Sequence, residues 1–91
     1  MIKEELRLLQ DGIIKYKSNQ YSEANFHQTL NGFIYLITEL HLEDIRDALQ
    51  EIEGNLELID FTSTDKQKGY LREISKIEKI ITLIQIREKL S

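Results

Sequence analysis

Apolar side chains return at gaps of three and four through nearly the whole chain, and the pattern lapses in only three places. At 3.6 residues per turn these gaps revisit one side of a helix, whereas a half-buried strand would need a gap of two. Residues 2–18 place Ile2, Leu6, Leu9, Ile13 and Tyr16 on one face. Residues 22–40 do the same with Phe26, Leu30, Phe33, Ile34, Ile37 and Leu40, and residues 42–60 with Ile45, Ala48, Leu49, Ile52, Leu56 and Ile59. Residues 65–89 carry Tyr70, Leu71, Ile74, Ile77, Ile81, Ile84 and Ile86. The run IITLIQI at 80–86 would suit a strand in isolation. The helical period continues into it unbroken from Tyr70, which favours a helix.

The interruptions are legible to different degrees. KSNQYS at 17–22 is rich in turn-forming residues. Ser22 is placed to cap the next helix, Glu23 suits its positive end, and Tyr21 can staple onto Phe26. FTSTDKQ at 61–67 is the clearest loop, with four capping types from Thr62 to Asp65. The break near His41–Glu43 is poorly marked. A single helix over 23–60 would be very long, and Glu43 and Asp44 read as first-turn acids, so the pattern divides there.

Four amphipathic helices with short links predict an all-α, antiparallel up-down four-helix bundle filling residues 1–91 as one domain. With 91 residues there is room for a single core. Cysteine is absent, so stability rests on packing, and a reducing compartment fits. The start, MIKEELRLLQDG, is too charged for a signal peptide. No stretch approaches the roughly 20 apolar residues of a membrane span. A soluble, cytoplasmic protein that does not engage membranes is expected.

Catalytic motifs are missing: no phosphate-binding glycine loop, no GxSxG and no HExxH. A metal site has little support, because neither His27 nor His41 follows a glutamate at the Glu-x-x-His spacing of carboxylate bundles. His27 is expected on a helix surface and His41 in a connection. No cofactor is implied. Arg72, Lys76 and Lys79 form a basic stripe, diluted by Glu73 and Glu78 and best read as a solvated face partnered by the acidic helix. With a net charge of −4, nucleic-acid binding is not expected.

The chain's main asymmetry is electrostatic. Residues 42–60 hold seven acids and one base, Arg46, while the remaining residues carry nine acids and eleven bases. Glu43, Asp44, Asp47 and Glu51 lie opposite the apolar stripe, and Glu53, Glu57 and Asp60 along one edge of it. Glu43–Asp47, Asp47–Glu51 and Glu53–Glu57 are like-charge pairs at i,i+4, each costing a few tenths of a kcal/mol. Either neighbouring helices supply cations to offset this, or the acids form a docking surface for a basic partner.

NQYSEANF at 19–26 and LQEIEGNLELIDF at 49–61, in an acidic helical chain of this length, resemble the small bacterial immunity proteins of the colicin D immunity family. The resemblance covers the layout of about residues 6–84. It implies a non-catalytic protein that blocks a basic, tRNA-cleaving toxin domain. It assigns no residue. From the charge pattern, Glu43, Asp47 and Glu51 are the expected partner-binding residues, with Asp44 and Glu57 next. Among Tyr16, Tyr21, Tyr35 and Tyr70 as aromatic anchors, Tyr35 stands out because it lies beside the apolar stripe. The alternative is a structural module. Ile80, Ile81, Leu83, Ile84 and Ile86 exceed one buried stripe, and the excess would pair with a second copy in a homodimer.

Overall fold

Helix α1 spans Lys3–Lys17, α2 Glu23–Leu36, α3 Glu43–Thr62 and α4 Lys66–Leu90, with a 3-10 turn at Leu40–Leu42 leading into α3. This is a computed structural model and describes residues 2–90, with Leu90 described by its backbone only. The described residues contain no strand.

Cross-helix contacts set the directions. A Cβ added at Gly12 of α1 would meet Thr29 of α2. His27, early in α2, faces Glu53 and Asp60, late in α3. Tyr70, early in α4, bonds Asp60, while Arg87 near the far end of α4 reaches Asp44 at the start of α3. Each helix therefore runs against the one before it. Lys17 of α1 pairs with Glu78 of α4 at 2.8 Å and ties the first helix to the last. The bundle is up-down-up-down, as the four stripes predict.

The stripes meet in one continuous core. Tyr16, Phe26 and Tyr70 form an aromatic cluster where α1, α2 and α4 converge, with ring centroids 5.7, 5.7 and 6.3 Å apart. Both tyrosines are buried, and each hydroxyl is satisfied by a carboxylate: Tyr16 donates to Glu23 at 2.7 Å and Tyr70 to Asp60 at 2.9 Å. Burial first, then these carboxylates, push both phenols well above their ordinary pKa. Tyr16 and Tyr70 are thus parts of the core, not surface anchors.

The linkers show how the sequence stops each helix. Asn19 takes a left-handed φ of 64°, tolerable for Asn, so that Gln20 N–H bonds the Lys15 carbonyl and Asn19 N–H that of Tyr16. Ser22 accepts from the Asn25 backbone while the Asn25 side chain accepts from the Ser22 backbone, a complete capping box. Tyr21 is half-buried against the core beside this cap. Asp65 caps α4 by accepting from the Lys68 backbone at 3.1 Å, and Ser63 Oγ accepts from the Asp65 N–H.

Two expectations need correction. Helix α2 ends at Leu36, not at residue 40, because Ile37 adopts extended backbone and the 3-10 turn follows. This turn resets the register: Leu42 is fully buried and Leu40 is 86% exposed, the reverse of the expected stripe. The expected loop at 61–67 shortens to 63–65, since α3 continues through Phe61 and Thr62. Among the remaining stripe positions, Ala48 is half-buried, while Leu71 and Ile86 are exposed.

Candidate functional site

Helix α3 packs its apolar face between α2 and α4, burying Ile45, Leu49, Ile52, Leu56 and Ile59. Six of its seven acids then fall into two groups by environment, and the seventh, Glu57, stands beside Glu53. Asp44, Glu53 and Asp60 have internal partners. Arg87 grips Asp44 bidentately, at 2.7 and 2.8 Å, and also donates to the His41 carbonyl. The Arg87 bonds hold the Asp44 carboxyl down to about 2. Asp44 thus closes the α3–α4 end and is committed within the fold.

Glu43, Asp47 and Glu51 form the second group. All three are exposed, and among the described residues none of them makes an ion pair. At four-residue spacing they form one line about 12 Å long, from a rise of 1.5 Å per residue. Arg46, the one base of α3, pairs with none of them, and its buried Nε has no hydrogen-bond partner. The expected neutralisation by α4 does not occur at this strip. Arg72 and Lys76 turn to Glu73 of their own helix, at 3.6 and 3.0 Å. Lys76 and Lys79 line a surface groove together with Glu51, Ala48, Ile52 and Ile80, but neither lysine pairs with Glu51.

Glu73 is the residue that the charge pattern misplaced. It is 2% exposed, not part of a solvated face. Burial alone would raise its carboxyl, but hydrogen bonds from Asn55 and Lys76 outweigh this and hold it below the usual range. Lys76 caps the carboxylate from the solvent side. The signal available in sequence was its position one residue before Ile74, on the border of the stripe.

Glu57 is exposed and lies against Glu53, whose hydrogen bond and charge raise the Glu57 carboxyl. His27 is not on an open surface, as the sequence led one to expect. Its side chain keeps only 14% of its exposure, with Nε2 at 2.8 Å from Glu53 and Nδ1 at 3.5 Å from Asp60. His41 does lie in the connection, 52% exposed, with Nε2 3.7 Å from Glu88. Tyr35 is 86% exposed at the end of α2, close in sequence to the exposed Leu36 and Leu40. On α4, Ile80 packs against the core while Leu83 and Ile86 stay 41% and 51% exposed.

No protein-family model matches this chain, and no curated protein or solved structure is significantly similar to it. No helix among the described residues is long and apolar enough to cross a membrane.

Proposed function

We propose that this protein is a non-catalytic cytoplasmic binding module that docks a basic protein partner on the Glu43–Asp47–Glu51 strip of α3. The observation that carries the reading is the unneutralised line of three carboxylates on a helix whose other acids have partners or sit in a separate cluster. Like charges at i,i+4 weaken the helix that bears them, so packing gives no reason for the arrangement. A basic partner supplies one, because complementary fields speed encounter and reject wrong partners. A linear run of negative charge is what a phosphate-handling cleft is shaped to receive. The partner is therefore read as a toxin domain with a nuclease-like basic site, in line with the resemblance to immunity proteins, and the mechanism as steric and electrostatic occlusion. Tyr35 and Leu40 are among the exposed apolar groups available to anchor such a contact.

The test is affinity capture with wild type, with Asp47→Lys/Glu51→Lys, and with Glu4→Lys/Asp11→Lys on α1 as a control of equal charge change. Loss of a basic protein from the first variant alone, with helicity by circular dichroism intact, is expected. Equal retention by both variants would remove the electrostatic mechanism.

A second reading rests on Leu83 and Ile86, which leave part of α4 uncovered. Self-association through this face would make the protein an oligomerisation module. Sedimentation at two concentrations separates the two: a tight dimer lost in Leu83→Glu favours the module, and a monomer favours the binder.

A further inference from the structure

The cluster around His27 joins two helices that the sequence spacing kept apart. His27 stands on α2, and Glu53 and Glu57 are four residues apart on α3, hence on one side of it. One ligand atom from each of the three residues lies within 4.8 Å of the other two. Glu53 is also mostly covered, its side chain 22% exposed. We propose that His27, Glu53 and Glu57 bind a single divalent transition-metal ion, with Zn2+ the best match, and so clamp α2 to α3.

Three features of the surroundings support a site of this chemistry. The donors are of two kinds, one imidazole and two carboxylates. Three protein ligands leave a tetrahedral ion one position for water, which the exposed side of Glu57 allows. The imidazole is also backed. Its Nδ1 faces Asp60, and Asp60 is fixed by the Tyr70 hydroxyl at 2.9 and 3.0 Å. A carboxylate behind a ligand histidine sets its ring orientation and tautomer, and Asp60, 3.5 Å from Nδ1, is placed to take that role once an ion holds Nε2. Charge is the third feature. Glu53 and Glu57 are like charges four residues apart on one side of α3. One imidazolium offsets at most one of them, while a dication offsets both.

The rearrangement needed is small. Metal–ligand bonds of about 2.0–2.1 Å place tetrahedral ligand atoms about 3.3 Å apart. The 2.8 Å contact between Nε2 and Glu53 must therefore open, and the Glu57 carboxylate must swing inward. Both are rotations of flexible glutamate side chains, and neither asks the backbone to move. The ion takes the place of any proton between Nε2 and Glu53, so binding releases protons. This proposal is independent of the docking strip, because Glu43, Asp47 and Glu51 take no part in it.

The test is titration of the purified protein with Zn2+ by calorimetry, with Co2+ as an optical probe of coordination geometry. One saturable site per chain is expected, with a raised melting temperature. His27→Gln or Glu53→Gln should weaken binding at least about 100-fold, and Asp60→Asn about 10- to 100-fold, as for outer-shell partners in other metal sites. His41→Gln should leave affinity unchanged. Absence of saturation in wild type, or undiminished affinity in a folded His27→Gln, would overturn the proposal. Where a variant loses its helicity, the imidazole nitrogen resonances of wild type decide. A zinc-dependent shift at His27 Nε2 supports the site, and a shift confined to His41 refutes it.

Discussion

Four glycines sit inside helices, and the structure predicts a different outcome for alanine at each kind of position. A Cβ at Gly32 or Gly54 would meet nothing within 4 Å. There alanine gains helix propensity, about 0.8–1 kcal/mol, with no contact to set against it. A Cβ at Gly69 would lie 2.9, 3.0 and 3.2 Å from three atoms of Ile59, a buried residue of α3. Ile59 is β-branched on a helix, so no rotamer change moves all three atoms away. Overpacking of this kind costs about 1–3 kcal/mol, which outweighs the propensity gain near the start of α4. Gly12 is intermediate, because its one tight neighbour is the Thr29 methyl at 3.0 Å. Urea and thermal unfolding followed by circular dichroism at 222 nm will read these differences. Gly54→Ala should raise the melting temperature by about 4–8 °C, Gly12→Ala should leave it nearly unchanged, and Gly69→Ala should lower it. Ile59→Val alone should cost about 0.5–1.5 kcal/mol. In the Gly69→Ala background that cost should shrink or reverse, since the closest atom, Cδ1, is gone. If Gly69→Ala stabilises as much as Gly54→Ala, with no coupling to Ile59, the close approach of α3 to α4 is refuted.

Glu73→Ala strands the Asn55 amide and the Lys76 ammonium and should cost about 1.5–3 kcal/mol, the range for hydrogen bonds to a charged group. Because the folded carboxyl is depressed below its ordinary 4.5, the deficit should be full above that pH and close as pH falls through the depressed value. Asp44 should titrate near 2 by carboxyl carbon resonance and return toward 3.8 in Arg87→Gln. Its contribution to stability is present above 3.8 and lost only as pH falls through 2. Phe26→Ala, at the centre of the aromatic cluster, should cost about 3–5 kcal/mol by urea denaturation, and a loss under 1 kcal/mol would mean that the cluster is not packed as described.

Much of the bundle was legible because periodicity reports one thing well: which face of a helix turns inward. It located the stripes of α1 and α3, and most of those of α2 and α4. The errors lie where the period says nothing. Ile37, Thr38 and Glu39 carry no Gly, Asn or Pro to announce the end of α2. The turn that buries Leu42 in place of Leu40 is imposed by tertiary packing. The charge pattern separated the outer acids of α3 from those along its edge, and that division survives in three dimensions for all but Asp44. It could not tell that Arg87, 43 residues away in sequence, takes Asp44. Nor could it bring His27 to Glu53, because no local spacing links α2 to α3. Glu73 looked like a diluting surface charge, since its place on the border of the stripe does not by itself show that Asn55 and Lys76 come to cover it.

The central claim is that the outer face of α3 meets a basic protein. Zero-length carbodiimide cross-linking of the captured complex, followed by peptide mapping, reads that contact residue by residue. The account predicts partner lysines joined to Glu43, Asp47 and Glu51 in preference to the other exposed acids. Cross-links confined to Glu4, Asp11 or Glu78, or a contact carried by Leu83 and Ile86 with the strip left unmodified, would contradict it.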